Sequence, residues 1–130
     1  MKMKLKEWSL PDECSFLYPA EGSKFERDAI LQCFRELSCL TEFELEPDGY
    51  ALCRGRFDFE GESNLINLQR SLEAVVLGRL GRAACKAAME IQSKYPFPLM
   101  TTDESYCAEI GVYNCQSFDE LLEKFIADGA

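Results

Sequence analysis

The stretch Glu62 to Pro96, ESNLINLQRSLEAVVLGRLGRAACKAAMEIQSKYP, decides how the rest of the chain is read. Its apolar residues Leu65, Leu68, Leu72, Val75, Val76, Leu80, Ala83, Ala84, Ala87 and Ile91 recur at steps of three and four. That spacing gathers side chains on one face of a 3.6-residue helix. The stretch is therefore expected to be one long helix covering a small sheet. Ser63 or Asn64 can accept from the first free backbone amides, and Pro96 disfavours helical geometry at Tyr95. Gly78 and Gly81 interrupt the pattern, and each costs about 1 kcal/mol against alanine inside a helix. Either they form a small-residue seam with Ala84 and Ala88, or the helix breaks there into two.

Upstream, Thr41 to Glu46 and Tyr50 to Phe59 alternate around Pro47-Asp48-Gly49, a β-hairpin signal. With Glu46 opposite Tyr50, Glu42 comes opposite Arg54, on the face away from Phe43 and Leu45. Cys53, Phe57 and Phe59 then join the core. Before the hairpin, Ser23-Lys24-Phe25-Glu26 reads as a capping box opening a helix over about 24–38. Its apolar face is Phe25, Ala29, Ile30, Cys33, Phe34 and Leu37. Residues 2–6 alternate lysine with apolar residues and predict a strand, ended or bulged near Glu7. Residues 11–22, with Pro11, Pro19 and Gly22, predict a connection tacked down by Phe16, Leu17 and Tyr18.

Downstream, residues 97–100 allow a short strand and Tyr106 to Val112 predict a further one. Ser117-Phe118-Asp119-Glu120 is a second capping box, opening a C-terminal helix with Phe118, Leu121, Leu122, Phe125 and Ile126 on one face and Gly129 at its end. The expectation is one α+β domain over residues 1–130. It is a two-layer sandwich in which about four antiparallel strands in ferredoxin-like βαββαβ order are covered by helices, with a C-terminal helix added.

Composition narrows function. At 47% hydrophobic and 12% aromatic the chain has ordinary globular material for a core. It lacks the continuous apolar run of a signal peptide or a membrane span, so a cytoplasmic protein without membrane contact is expected. Seven cysteines, odd in number and without short paired spacings, fit a reducing compartment and predict no metal site and no cofactor. Histidine is absent, which removes the commonest general base and metal ligand. The strongest loop constellation for chemistry, Asp103-Glu104 with Cys107, is not a complete motif, and a non-enzymatic protein is expected.

Charge points to partners. Fourteen basic and 23 acidic residues give −9, yet residues 64–95 carry five basic and two acidic residues, a basic island in an acidic chain. Such a surface attracts basic partners and repels phosphate backbones. In size and charge the chain is similar to bacterial immunity proteins that neutralise toxins and to secretion chaperones and adaptors. That resemblance implies an acidic module binding a more basic protein, and the acidic hairpin supplies the expected contact residues, Glu42, Glu44, Glu46, Asp48 and Asp58.

Two alternatives accompany it. One is a ligand-sensing or dimerising ferredoxin-like domain, with Tyr50 and Leu52 on an uncovered sheet face as interface residues. The other rests on residues 75–84, where Gly78-Arg79-Leu80-Gly81 resembles the KH domain of RNA-binding proteins, whose GXXG loop joins two helices and clamps a nucleic-acid backbone. This resemblance implies an anion-binding role for Gly78, Arg79, Gly81, Arg82 and Lys86.

Overall fold

The computed structural model describes residues 14–38, 40–103 and 109–129. It is an α+β structure with a seven-stranded antiparallel sheet. The strands are β1 (Ser15–Pro19), β2 (Leu40–Leu45), β3 (Ala51–Phe59), β4 (Glu62–Gln69), β5 (Val75–Leu77), β6 (Leu99–Asp103) and β7 (Glu109–Gly111). Among the described residues there are three α-helices, α1 (Arg27–Arg35), α2 (Arg82–Lys94) and α3 (Phe118–Gly129). The spatial order of strands is β2-β3-β4-β5-β1-β6-β7. The expected four-stranded ferredoxin-like order is therefore not the fold: two extra strands come from the stretch read as the first half of a long helix.

The reason lies in Glu62–Gln69. Asn64, Ile66 and Leu68 are buried while Ser63 and Leu65 are exposed, a period of two that the three- and four-residue steps concealed. Glu60 and Gly61 have φ of 50° and 84°, and Phe59 pairs with Glu62. That is a two-residue hairpin loop with both central residues left-handed, which matches strand twist and welcomes glycine at its second position. Only Arg82–Lys94 keeps the helical reading. It ends at Tyr95, whose amide donates to the Ile91 carbonyl at 2.8 Å.

β1 also departs from expectation, since residues expected as a connection form a central strand. Leu17 is fully buried, and the strand pairs with β5 on one side and β6 on the other. Pro19 is tolerated because β5 pairs only with Ser15, Phe16 and Leu17, so at residue 19 the strand is an edge on that side. α1 is shorter than the expected 24–38, and its cap is Glu26 rather than Ser23: the Glu26 carboxylate accepts from the Ala29 amide at 2.6 Å. The second capping box forms in its first half, Ser117 Oγ accepting from the Glu120 amide at 3.2 Å, while Glu120 Oε1 accepts from the Gln116 amide at 2.8 Å, one residue before the N-cap.

The helices pack on one face of the sheet through Phe34 against Phe43 and Phe59 against Phe118. Phe34, Phe57, Leu17, Ile30, Ile66, Leu68, Leu77 and Ile91 are fully enclosed there. Each such side chain contributes about 1.5–3 kcal/mol of burial free energy. The opposite face carries no helix among the described residues. Within them, no helix is long and apolar enough to cross a membrane. The expected strand over residues 2–6, Cys39, Glu104 and Cys107 lie outside the described residues, as does the first part of the expected strand Tyr106 to Val112.

Candidate functional site

β2 is one edge of the sheet, and it is where the acidic hairpin residues lie. The hairpin forms as expected but two residues further along. Glu44 pairs with Arg54, Glu42 with Arg56 and Leu45 with Cys53, in place of Glu42 opposite Arg54. An even shift keeps every side chain on its expected face. The shift follows from a longer turn, since the Glu46 amide donates to the Leu52 carbonyl at 2.9 Å and the chain reverses through residues 47–51. Arg70 holds that turn. Its Nε donates to the Gly49 carbonyl at 2.8 Å, and its Nη2 to the carbonyls of Glu46 at 2.7 Å and Ala51 at 3.0 Å. The sequence reading missed this role because nothing in local pattern marks an arginine that binds carbonyls some 20 residues away.

On the helix-free face, Glu46 pairs with Arg54 and Glu42 with Arg56, both at 3.2 Å. Glu44 and Asp48 are exposed and make no ion pair among the described residues. Asp58 is exposed at the far end of β3, opposite Ser63. The structure thus brings Glu42, Glu44, Glu46 and Asp48 together at the edge and leaves Asp58 apart.

Backbone chemistry completes the edge. Antiparallel pairs alternate between those that exchange hydrogen bonds and those that do not. The Glu46–Leu52 bond makes Glu46 and Glu44 members of bonded pairs, so the amides and carbonyls of Phe43 and Leu45 point away from β3. Leu45 is 53% exposed and Phe43 is half-buried against Phe34. Gly55 lets β2 approach: a Cβ there would lie 2.5 Å from the Glu42 carbonyl oxygen, beside the bulge between Leu40 and Glu42. Of the expected interface pair, Tyr50 is 69% exposed, whereas Leu52 is buried. The bulge between Ala51 and Cys53 breaks the alternation at Leu52.

The Gly78–Gly81 segment is neither a helical seam nor a break between helices. It is the loop joining β5 to α2, where the KH arrangement would have two helices. Asn64 shapes it. Asn64 Nδ2 donates to the Arg79 carbonyl and its Oδ1 accepts from the Arg79 amide, both at 2.8 Å. A Cβ at Gly78 would sit 2.0 Å from that Oδ1. The Arg82 guanidinium bonds Glu60 at 2.8 Å and Asp119 at 2.6 Å and lies 5.0 Å from the Phe118 ring centroid. Lys86 is half-buried on α2 and Arg79 is exposed. An incoming anion at Arg82 would have to displace two carboxylates.

On the helix-free face the Tyr18 hydroxyl donates to the Glu109 carboxylate across β6. Two shallow clefts of about 390 and 440 Å³ flank this link, with Met100 and Tyr113 on one side and Phe16 and Glu73 on the other. Burial pushes the thiols of Cys33 and Cys53 up to about 11, and raises those of Cys85 and Cys115 as well. Protonated, enclosed thiols are poor nucleophiles. No group of three or more Cys, Asp or Glu side chains suited to a metal ion occurs among the described residues.

No family model, no curated protein and no solved structure matches the chain.

Proposed function

We propose that this protein is a non-enzymatic binding module that takes a more basic protein partner at the acidic β2–β3 hairpin, as immunity proteins, secretion chaperones and adaptors take theirs. The observation that carries the reading is the state of Glu44 and Asp48. Both are exposed, Glu44 on the edge strand and Asp48 in the turn that follows it, and neither makes an ion pair among the described residues, beside Glu42 and Glu46 in a chain of net charge −9. Unneutralised edge carboxylates speed encounter with a positive surface and set its salt dependence.

The test compares capture of partners by the parent protein and by a variant with Glu42, Glu44 and Glu46 changed to lysine, each at low and moderate salt. A basic companion that is retained by the parent at low salt, weakened at moderate salt and lost with the variant supports the reading. Equal recovery by both proteins at both salts sinks it.

A second reading, pairing of two copies or closure over a ligand through the helix-free face, is favoured by Leu65, which is 56% exposed on β4 on that face. Leu65→Lys would then convert a dimer to a monomer in sedimentation. A parent protein that sediments as a monomer and gives no ligand-dependent change in melting temperature counts against it.

A further inference from the structure

We infer that the β2 edge accepts an extended segment of the partner as an eighth strand, and that this segment alternates basic with apolar residues. The inference rests on the acidic-edge reading above and specifies the partner's form. The backbone argument comes first. The outward amides and carbonyls of Phe43 and Leu45 are two donor and acceptor sets spaced as an added strand requires. No other strand pairs with β2 among the described residues.

The side chains then select the occupant. Residues of an added strand lying beside Glu42 and Glu44 share the helix-free face with them, where Glu44 has no cation opposite it other than Arg54, which is bonded to Glu46. A lysine or arginine there supplies the missing charge. Residues lying beside Phe43 and Leu45 share the helix-covered face, where Leu45 is half-exposed and gains cover from an apolar neighbour. Alternation of β2 itself therefore writes the complementary alternation into its partner. Natural edges are commonly guarded by charged side chains, lysine above all, by proline, by bulges or by an inward charge. Between Glu42 and Leu45 β2 has no lysine, proline or inward charge; its guards are Glu42 and Glu44, which repel an acidic strand and attract a basic one, and a bulge before Glu42.

Leu45 offers a direct test, because its amide is not part of the β2–β3 ladder. Leu45→Pro removes an outward donor while leaving the ladder bonds in place, as proline at an open edge allows. The probe is a short fluorescein-labelled peptide alternating lysine with valine, followed by fluorescence anisotropy. Controls are the same peptide with glutamate for lysine, and one N-methylated at alternate backbone positions. Expected are saturable binding of the lysine peptide, new exchange protection at the Phe43 and Leu45 amides, and loss of at least about tenfold in affinity with Leu45→Pro or with N-methylation.

If Leu45→Pro fails to fold, the N-methylated peptide against the parent protein carries the same test. Binding that survives N-methylation but is lost with Glu44→Lys overturns strand addition while leaving the acidic-edge reading in place. Equal binding of the glutamate peptide, or no binding of the lysine peptide, overturns the inferred occupant. Amides of Phe43 and Leu45 already protected in the protein alone would mean that a second copy or another segment of the chain occupies the edge, and would overturn it too.

Discussion

Asn64 grips the backbone of Arg79 from both sides, donating to its carbonyl and accepting from its amide at 2.8 Å each. One side chain thereby supplies the pair of bonds that a neighbouring strand would give, at the point where β5 has ended and α2 has not begun. The grip requires glycine next door, because a Cβ at Gly78 would collide with Asn64 Oδ1. Asn64→Ala is expected to lower stability by about 1–3 kcal/mol, through unpaired polar groups in a largely buried site. Gly78→Ala is expected to cost about 1–3 kcal/mol by overpacking. Together they should cost less than their sum, since removing the amide removes the collision. Urea midpoints of the two single variants and the double variant check this; strict additivity would show that the two residues do not share one strain.

Leu65 and Ile66 separate strand from helix in solution. Ile66→Ala should cost about 2–5 kcal/mol, as for any large side chain removed from a closed core. Leu65→Ala should change stability by no more than about 0.5 kcal/mol, because the side chain lies mostly in solvent. Thermal melts of both variants decide it, and a larger loss at Leu65 than at Ile66 would point back to a helix with Leu65 on its buried face.

Arg70 is expected to govern the hairpin rather than the global fold. Arg70→Ala should leave the core intact while amides of residues 48–51 exchange faster. Arg70→Lys should not restore protection, because a single ammonium cannot reach three carbonyls in the geometry of a guanidinium fork. Hydrogen exchange read by NMR tests both, and full rescue by lysine would contradict the carbonyl clamp.

Alkaline pH should destabilise the protein through its enclosed thiols. Burial raises Cys33 and Cys53 from 9.0 to about 11. Between those values the unfolded chain has released protons that the folded chain retains, so stability falls as pH rises from about 9 towards 11 and is unaffected by these groups below 9. Denaturant midpoints across this window should slope downward, and less steeply when Cys33 and Cys53 are both changed to alanine. An unchanged slope in that variant would assign the effect to other groups.

The hairpin Thr41 to Phe59, helix α2 and the second capping box were legible because each depends on neighbours within a few positions. Glu60-Gly61, the two-residue loop between Phe59 and Glu62, goes unread, because the three- and four-residue spacing of leucines beyond it suggests a helix, a spacing that a strand with Ile66 and Leu68 inward and Leu65 outward reproduces by accident. β1 was hidden for a different reason. Its proline and short length read as a connection, and its burial comes from β5 and β6, far along the chain. At the candidate site the acidic residues could be read directly, whereas the direction of the Phe43 and Leu45 amides depends on the register fixed by Arg70 and the turn.

The central position of β1 has a consequence for synthesis. Leu17 pairs with Val75 on one side and Thr101 on the other, so the earliest described strand must wait for most of the chain before its second neighbour exists. The β2–β5 meander can assemble as it emerges, by successive hairpins, and β1 can join it along β5, but the other flank of β1 has no neighbour until residues 99–103 leave the ribosome. Closure of the sheet is thus a late, non-local event, and slow folding follows from such pairings. A nascent chain stalled before Leu99 would present the β6-facing flank of β1 with no strand to cover it, which is the state in which chaperones would be most needed.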